Sequence, residues 1–167
     1  MDTIQIKQLG AEDWRDYKAI RLKALRDCRS VFSSNYEKEA AYEDHFWQDR
    51  LKDQSCAVFG LYDGSFIVGL TGIFTRADDQ SGKTGQLGMS FIDAAYRGQG
   101  LSRLLYEARI NWAREQGRFD VILVSHRVDN EASRRANQAF GFKYIGKELT
   151  DWPDGTKAYE YNYELRL

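Results

Sequence analysis

A mixed α/β fold, one sheet of about seven strands with helices packed on it, is what three features of the sequence predict. Apolar residues alternate singly in some stretches and recur every three or four residues in others, so strand and helix periods interleave along the chain. The run Val121-Ile122-Leu123-Val124 has no polar alternation, which marks a central strand covered on both faces. A length of 167 residues, 43 % apolar and 14 % aromatic, supplies core enough for one packed domain, taken as residues 1–167.

The elements follow in order. Ile4, Ile6 and Leu9 nearly alternate, predicting a first strand over 3–9. Trp14, Tyr17, Ile20, Ala24, Leu25 and Cys28 then describe one apolar helical stripe. A serine-rich connection at 29–35 leads to a second helix, expected over about 36–51. The β-rich runs 56–62 and 65–75 are joined by Asp63-Gly64, a hairpin dipeptide. After the polar loop 76–83 comes another strand, ending near Ile92. Leu101, Leu104, Leu105, Ala108 and Trp112 give a helix that closes at Gly117, a C-terminal cap. A short helix over about 130–140 follows the central strand. Two last strands, around 142–149 and 158–165, flank the turn Trp152-Pro153-Asp154-Gly155. In the final strand Tyr159, Tyr161, Tyr163 and Leu165 share one face, and Glu160, Asn162 and Glu164 the other. The predicted order is β-α-α-β-β-β-α-β-α-β-β.

Composition narrows the function. Twenty-five acidic residues against 24 basic ones leave a formal charge of −1, which provides no global field for nucleic acid or an anionic membrane. Locally the balance differs: residues 97–118 carry five bases and two acids, and residues 37–53 carry six acids and three bases. Cys28 and Cys56 are too few for a disulfide framework and lack metal-site spacing, so no metal is expected. Residues 1–9 contain no apolar core of a secretory signal, and no run approaches the ~20 apolar residues of a membrane span. A cytoplasmic protein is expected.

The strongest local signal is Tyr96-Arg97-Gly98-Gln99-Gly100-Leu101-Ser102-Arg103, between a strand and a helix start. A helix N-terminus offers unpaired N–H donors and a partial positive charge, and glycines let phosphate oxygens approach the backbone. A nucleoside-triphosphatase loop would need a lysine that this one lacks, and a dinucleotide fingerprint would need a third glycine where Arg103 stands. A bare helix-capping turn is the remaining structural alternative.

With these residues the chain resembles the GCN5-related N-acetyltransferase (GNAT) superfamily, whose acetyl-coenzyme A loop reads Arg/Gln-x-x-Gly-x-Gly/Ala. Arg97, Gly100 and Ser102 match it, with serine at the last small position. Ile92-Asp93-Ala94-Ala95-Tyr96 is similar to the family's lead-in, and Asn130-Glu131-Ala132-Ser133 with Phe140-Gly141-Phe142 resembles its second signature. The resemblance implies the acyl-CoA N-acyltransferase fold, a mixed sheet with helices on both faces. It also implies an acetyl-CoA-dependent N-acetyltransferase that acts on a primary amine by direct attack in a ternary complex.

The resemblance further assigns roles. Ser90, Phe91 and Ile92 would lend backbone groups to pantetheine, one N–H polarising the thioester carbonyl. Arg97, Gly98, Gln99, Gly100, Leu101, Ser102 and Arg103 would cradle the pyrophosphate, and Asn130 would reach the coenzyme while capping its helix. Positions where the family often carries a basic glutamate hold Gln86, Met89, Ser125 and His126 here. Ser125 and His126 become the catalytic candidates, His126 because its ordinary pKa suits a neutral-pH base. The family's usual thiolate-protonating tyrosine falls on Asn137, which can donate a hydrogen bond but gives up no proton readily. Tyr159, Tyr161 and Tyr163 are substitutes to weigh. Phe32, Tyr36, Glu37 and Glu39 lie in the acidic region that lines the acceptor site in related enzymes, pointing to a small cationic amine; a peptide amine stays open. A homodimer is compatible with the resemblance. The alternative is a weakly catalytic acyl-CoA-binding sensor or interaction module of the same fold.

Overall fold

The computed structural model describes residues 3–29, 32 and 34–167. Seven strands form one sheet in the order β1-β2-β3-β4-β5-β7-β6: β1 (Ile4–Gln8), β2 (Cys56–Asp63), β3 (Phe66–Thr75), β4 (Thr84–Ile92), β5 (Val121–Arg127), β6 (Lys143–Asp151) and β7 (Lys157–Arg166). Every neighbouring pair is antiparallel except β4 and β5, which run parallel. The chain's last strand therefore lies inside the sheet, between β5 and β6.

Five α-helices accompany it: α1 (Trp14–Asp27), α2 (Tyr36–Ala40), α3 (Asp44–Lys52), α4 (Ser102–Gln116) and α5 (Glu131–Ala139). The helix expected over 36–51 is thus two helices. The backbone is extended at Glu43, and each piece docks differently. Glu39 of α2 makes a buried bidentate ion pair with Arg21 of α1 at 2.9 and 3.0 Å, whereas α3 buries Trp47 against Tyr17. Tertiary anchoring at both ends overrides a stretch of good helix formers.

Alternate residues of β2 show how the layers are arranged. Ala57 and Phe59 join Tyr106 and Ile110 of α4 in one core, while Val58 and Tyr62 join Tyr17, Ile20 and Trp47 of α1 and α3 in another. Because strand side chains alternate between faces, α4 and α5 cover one side of the sheet and α1 and α3 the other. The hairpin between β2 and β3 turns on Gly64-Ser65, one residue later than expected, with Gly64 at φ +58° and Asp63 facing Phe66. The tyrosine stripe of β7 divides: Tyr163 is fully buried, while Tyr159 is exposed. No described helix is long and apolar enough to cross a membrane.

Candidate active site

The site begins where two parallel strands part. β4 and β5 pair only at Thr84–Val121, Gly85–Ile122 and Gln86–Leu123. Beyond Gln86, β4 keeps β3 on one side and has no ladder partner on the other; beyond Leu123, β5 keeps only β7. A bulge sharpens the divergence. The β3–β4 register slips between Leu70 and Gly72, and Met89 takes φ +60°, the only non-glycine in that region among the described residues. Packing holds it there, with the Tyr17 hydroxyl donating to Met89 Sδ at 3.7 Å.

A cavity of about 530 Å³ fills the opening, lined among others by Leu87, Ser90, Val124, Ser125, His126 and Asn130. Ser90, Phe91 and Ile92 lie on the stretch of β4 that has no pairing with β5. At the strand's end Gly98 and Gly100 take φ +75° and +74°, and a Cβ at either would meet nothing within 4 Å. Their glycines answer a backbone requirement, not crowding. α4 starts at Ser102, and its N-cap, Leu101, supplies no side-chain acceptor, so the first-turn amides have no side-chain cap.

The basic stretch 97–118 is not one positive face. Arg97 Nε donates to the Ile92 carbonyl at 2.8 Å and its guanidinium lies over Phe91; Arg103 pairs with Glu107 at 2.9 Å; Arg118 binds the Gly82 carbonyl. Gln99 reaches back to the Ala95 carbonyl at 3.5 Å. Arg109 is buried inside the molecule.

Asn130 caps α5, its Oδ1 accepting from the Ser133 N–H at 3.2 Å. His126 is buried, and both ring nitrogens are engaged. Nδ1 is 2.6 Å from the Arg127 carbonyl, so it must carry the proton, and Nε2 then accepts from the Tyr163 hydroxyl at 3.0 Å. That arrangement leaves no free lone pair on the ring. Ser125, the next residue along β5, points to the opposite face. Asn137 is wholly buried; its Oδ1 accepts from the Tyr106 hydroxyl, and its Nδ2 has no partner among the described residues.

The acidic stretch is similarly divided. Glu39 is neutralised by Arg21, and exposed Glu37 by Arg29 at 3.2 Å. Hydrogen bonds from its own backbone and then from Arg29 hold the Glu37 carboxyl below its ordinary pKa. Tyr36 and Glu37 border a separate depression beside Pro153, whereas Phe32 borders the main cavity, its ring under the Arg21 guanidinium at 5.3 Å.

Carboxylates that composition did not single out stand in the cavity wall. Register places Glu148 of β6 opposite Glu160 of β7, and both line the main cavity with Asn162 and Arg76. Asp78, and more weakly Glu148 and Glu160, hold the Arg76 guanidinium above its ordinary pKa. On the other side of the sheet, Tyr106 and Arg109 of α4 also line the cavity. The sequence carries one signal for this pair: an arginine at a position spaced for the core stripe of α4.

The model of the acetyltransferase (GNAT) family matches residues 20–142. Among curated proteins, N-acetyltransferase 8 of Rattus norvegicus is 28 % identical over 120 residues; these make up 70 % of this chain and 54 % of that protein, so the chain spans about half its length. Among solved structures, a GNAT acetyltransferase from Streptococcus pneumoniae superposes with a TM-score of 0.84 at 18 % identity, covering 98 % of this chain and 99 % of that one. The yncA protein of Salmonella typhimurium, solved with its cofactor acetyl-CoA, gives 0.83 at 18 % identity over 99 % and 94 % of the two chains. A ribosomal-protein alanine acetyltransferase from Vibrio fischeri gives 0.81 at 16 % identity over 99 % and 94 %. These structures share the fold.

Proposed function

Because the chain belongs to the GNAT family of acetyltransferases, we propose that it moves the acetyl group of acetyl-CoA to a primary amine of a small cationic molecule, both substrates lying in the gap between β4 and β5. The observation that carries the reading is the parting of those strands beyond Gln86 and Leu123, next to an uncapped helix start. The residues present fit the coenzyme. A free strand edge can accept pantetheine amides, the glycine loop leaves room at Gly98 and Gly100, and an orphaned amide, Asn137 Nδ2, faces burial without an acceptor. Acetyl-CoA supplies an activated thioester.

The chain's own groups do the rest. Backbone N–H groups along Ser90, Phe91 and Ile92 hold the pantetheine arm and stabilise the oxyanion. The first-turn amides of α4, with Gly98, Gln99, Gly100 and Leu101, bind the pyrophosphate, and Arg97 and Arg103 can swing from their present partners to it. On the acceptor side, Glu148 and Glu160 attract the ammonium and take its proton through water, and Ser125 orients the amine. His126 holds β5 and β7 in place through Arg127 and Tyr163. An ammonium with pKa near 10 must lose a proton before it can attack, so a carboxylate pair beside it serves both steps.

A screen of cationic and neutral amines with acetyl-CoA, read by release of free thiol, tests this. Cationic amines should react, and Glu148→Gln or Glu160→Gln should raise their KM several-fold. A response confined to neutral amines would overturn the cationic acceptor. Asn137, standing where the family often has tyrosine, favours a second reading, an acyl-CoA sensor with weak turnover. Turnover abolished by Gly100→Trp counts against it.

A further inference from the structure

A tyrosine on α4, and none on β7, lines the cavity between the parted strands. Tyr159 is exposed, and none of Tyr159, Tyr161 and Tyr163 lines the cavity. Tyr106 does line it. Its ring is clamped against Phe140, with centroids 4.5 Å apart and planes 10° from parallel, so the hydroxyl has a fixed position. It donates to Asn137 Oδ1, and Asn137 Nδ2 is left without an acceptor beside the same cavity.

Behind the ring sits a buried cation. The Arg109 guanidinium is 4.8 Å from the Tyr106 ring centroid. Its Nε donates to the Leu105 carbonyl and its Nη1 to Ser90 Oγ, both at 3.0 Å. Among the described residues no carboxylate lies within ion-pair distance of it. A buried, uncompensated guanidinium is costly unless it meets negative charge at some stage of function. Thiolate and phenolate are the anions that acetyl transfer can generate there.

We infer that Tyr106 is the catalytic acid, donating its hydroxyl proton to the sulfur as the carbon–sulfur bond breaks, with Asn137 and Arg109 as its positioning and charge-stabilising partners. The bond's electron pair goes to sulfur, and the Tyr106 O–H, rotated about its C–O bond from Asn137 Oδ1 to the sulfur, breaks to deliver the proton, giving the free thiol. The phenolate beside Arg109 then regains a proton from water, which has received the one released by the amine nitrogen. Nothing else is consumed. Burial pushes the Tyr106 hydroxyl above its ordinary pKa, with Arg109 opposing, so it is protonated at neutral pH. Burial also lowers Arg109 to about 10, which leaves it charged there. The other charged groups lining the cavity are Arg21, Arg76, Glu148 and Glu160, with His126 the remaining titratable side chain; the acids lie across the sheet on β6 and β7.

This inference rests on the acetyl-CoA reading, and coenzyme A itself separates the two. Calorimetry first establishes whether coenzyme A binds; absence of binding at millimolar concentration overturns the underlying reading. With binding established, the bound thiol is titrated by thiolate absorbance. In the wild-type protein it should be more acidic than free coenzyme A, because the Tyr106 hydroxyl, with the buried Arg109 cation behind its ring, would donate to the sulfur. An equal or higher thiol pKa overturns the assignment without any variant being needed. In Tyr106→Phe the bound thiol should become less acidic, and kcat should fall about a hundredfold while the amine KM is unchanged. The fall in kcat should shrink with a coenzyme A analogue fluorinated beside the sulfur, whose thiolate needs no proton to leave. A Tyr106→Phe enzyme with unaltered kcat and thiol pKa refutes the inference.

Discussion

Removing Glu39 tests how α2 is held to the rest of the protein. Its carboxylate and the Arg21 guanidinium are each 9 % exposed as side chains, and they share two bonds of 2.9 and 3.0 Å. Arg21 Nη1 has no partner of its own. In Glu39→Ala the guanidinium would stay buried with its paired N–H groups also orphaned. Breaking a buried pair from one side costs about 3–5 kcal/mol, because an uncompensated charge remains. For a chain of this size each kcal/mol moves Tm by ~2–4 °C, so a fall of roughly 6–20 °C is expected. The matched control is Glu37→Ala: the Glu37–Arg29 pair is also an α2 contact, but its side chains are 66 % and 60 % exposed. Exposed pairs contribute about 0–1 kcal/mol, so the control should melt within a few degrees of wild type. Urea unfolding with a common m-value would measure both. Equal, small losses in the two variants would refute the argument that desolvation, not the presence of an ion pair, sets the cost.

Three other outcomes follow from the same structure. Gly98→Ala and Gly100→Ala meet no steric obstacle, so each should cost only about 1–2 kcal/mol of backbone strain at positive φ, while calorimetry should record weakened coenzyme A binding. Asp79 is held down to about 2 by the hydroxyls of Ser81 and Thr84 and then by the Ser81 N–H. Its stabilising effect is present above the unfolded pKa near 4 and is lost as pH falls through about 2, so the urea midpoint gap between wild type and Asp79→Asn should narrow from pH 5 to pH 2. Leu70→Ala removes a wholly buried side chain between α1 and the sheet, and denaturant unfolding should register a loss of about 2–5 kcal/mol.

Much of the candidate site's scaffold is legible along the chain because it is built from local patterns. The unalternated run at Val121–Val124, the glycines at 98 and 100 and the asparagine at 130 each state their own requirement: a covered strand, a positive φ, a helix cap. The break between α2 and α3 is not legible. Residues 40–42, Ala-Ala-Tyr, tolerate a helix, and the interruption arises from where Glu39 and Trp47 are buried. Charge counting misleads in the same way. Summed over 97–118 it treats Arg109 and Arg103 alike, yet one is buried beside Tyr106 and the other pairs with Glu107 at the surface.

Period and turn chemistry, which act over a few residues, specify the seven strands, their hairpins and the glycine-led start of α4. The polar contacts of the cleft belong to three dimensions. Tyr106 and Asn137 are 31 positions apart, yet they share a hydrogen bond. Glu148 and Glu160 face one another only because β7 turns back along β6 in that register. Electrostatic energy depends on distance through space and on lost solvation, and neither is proportional to separation along the chain. Only packing of the helices against the parted strands decides which charges are neutralised and which remain poised in the cleft.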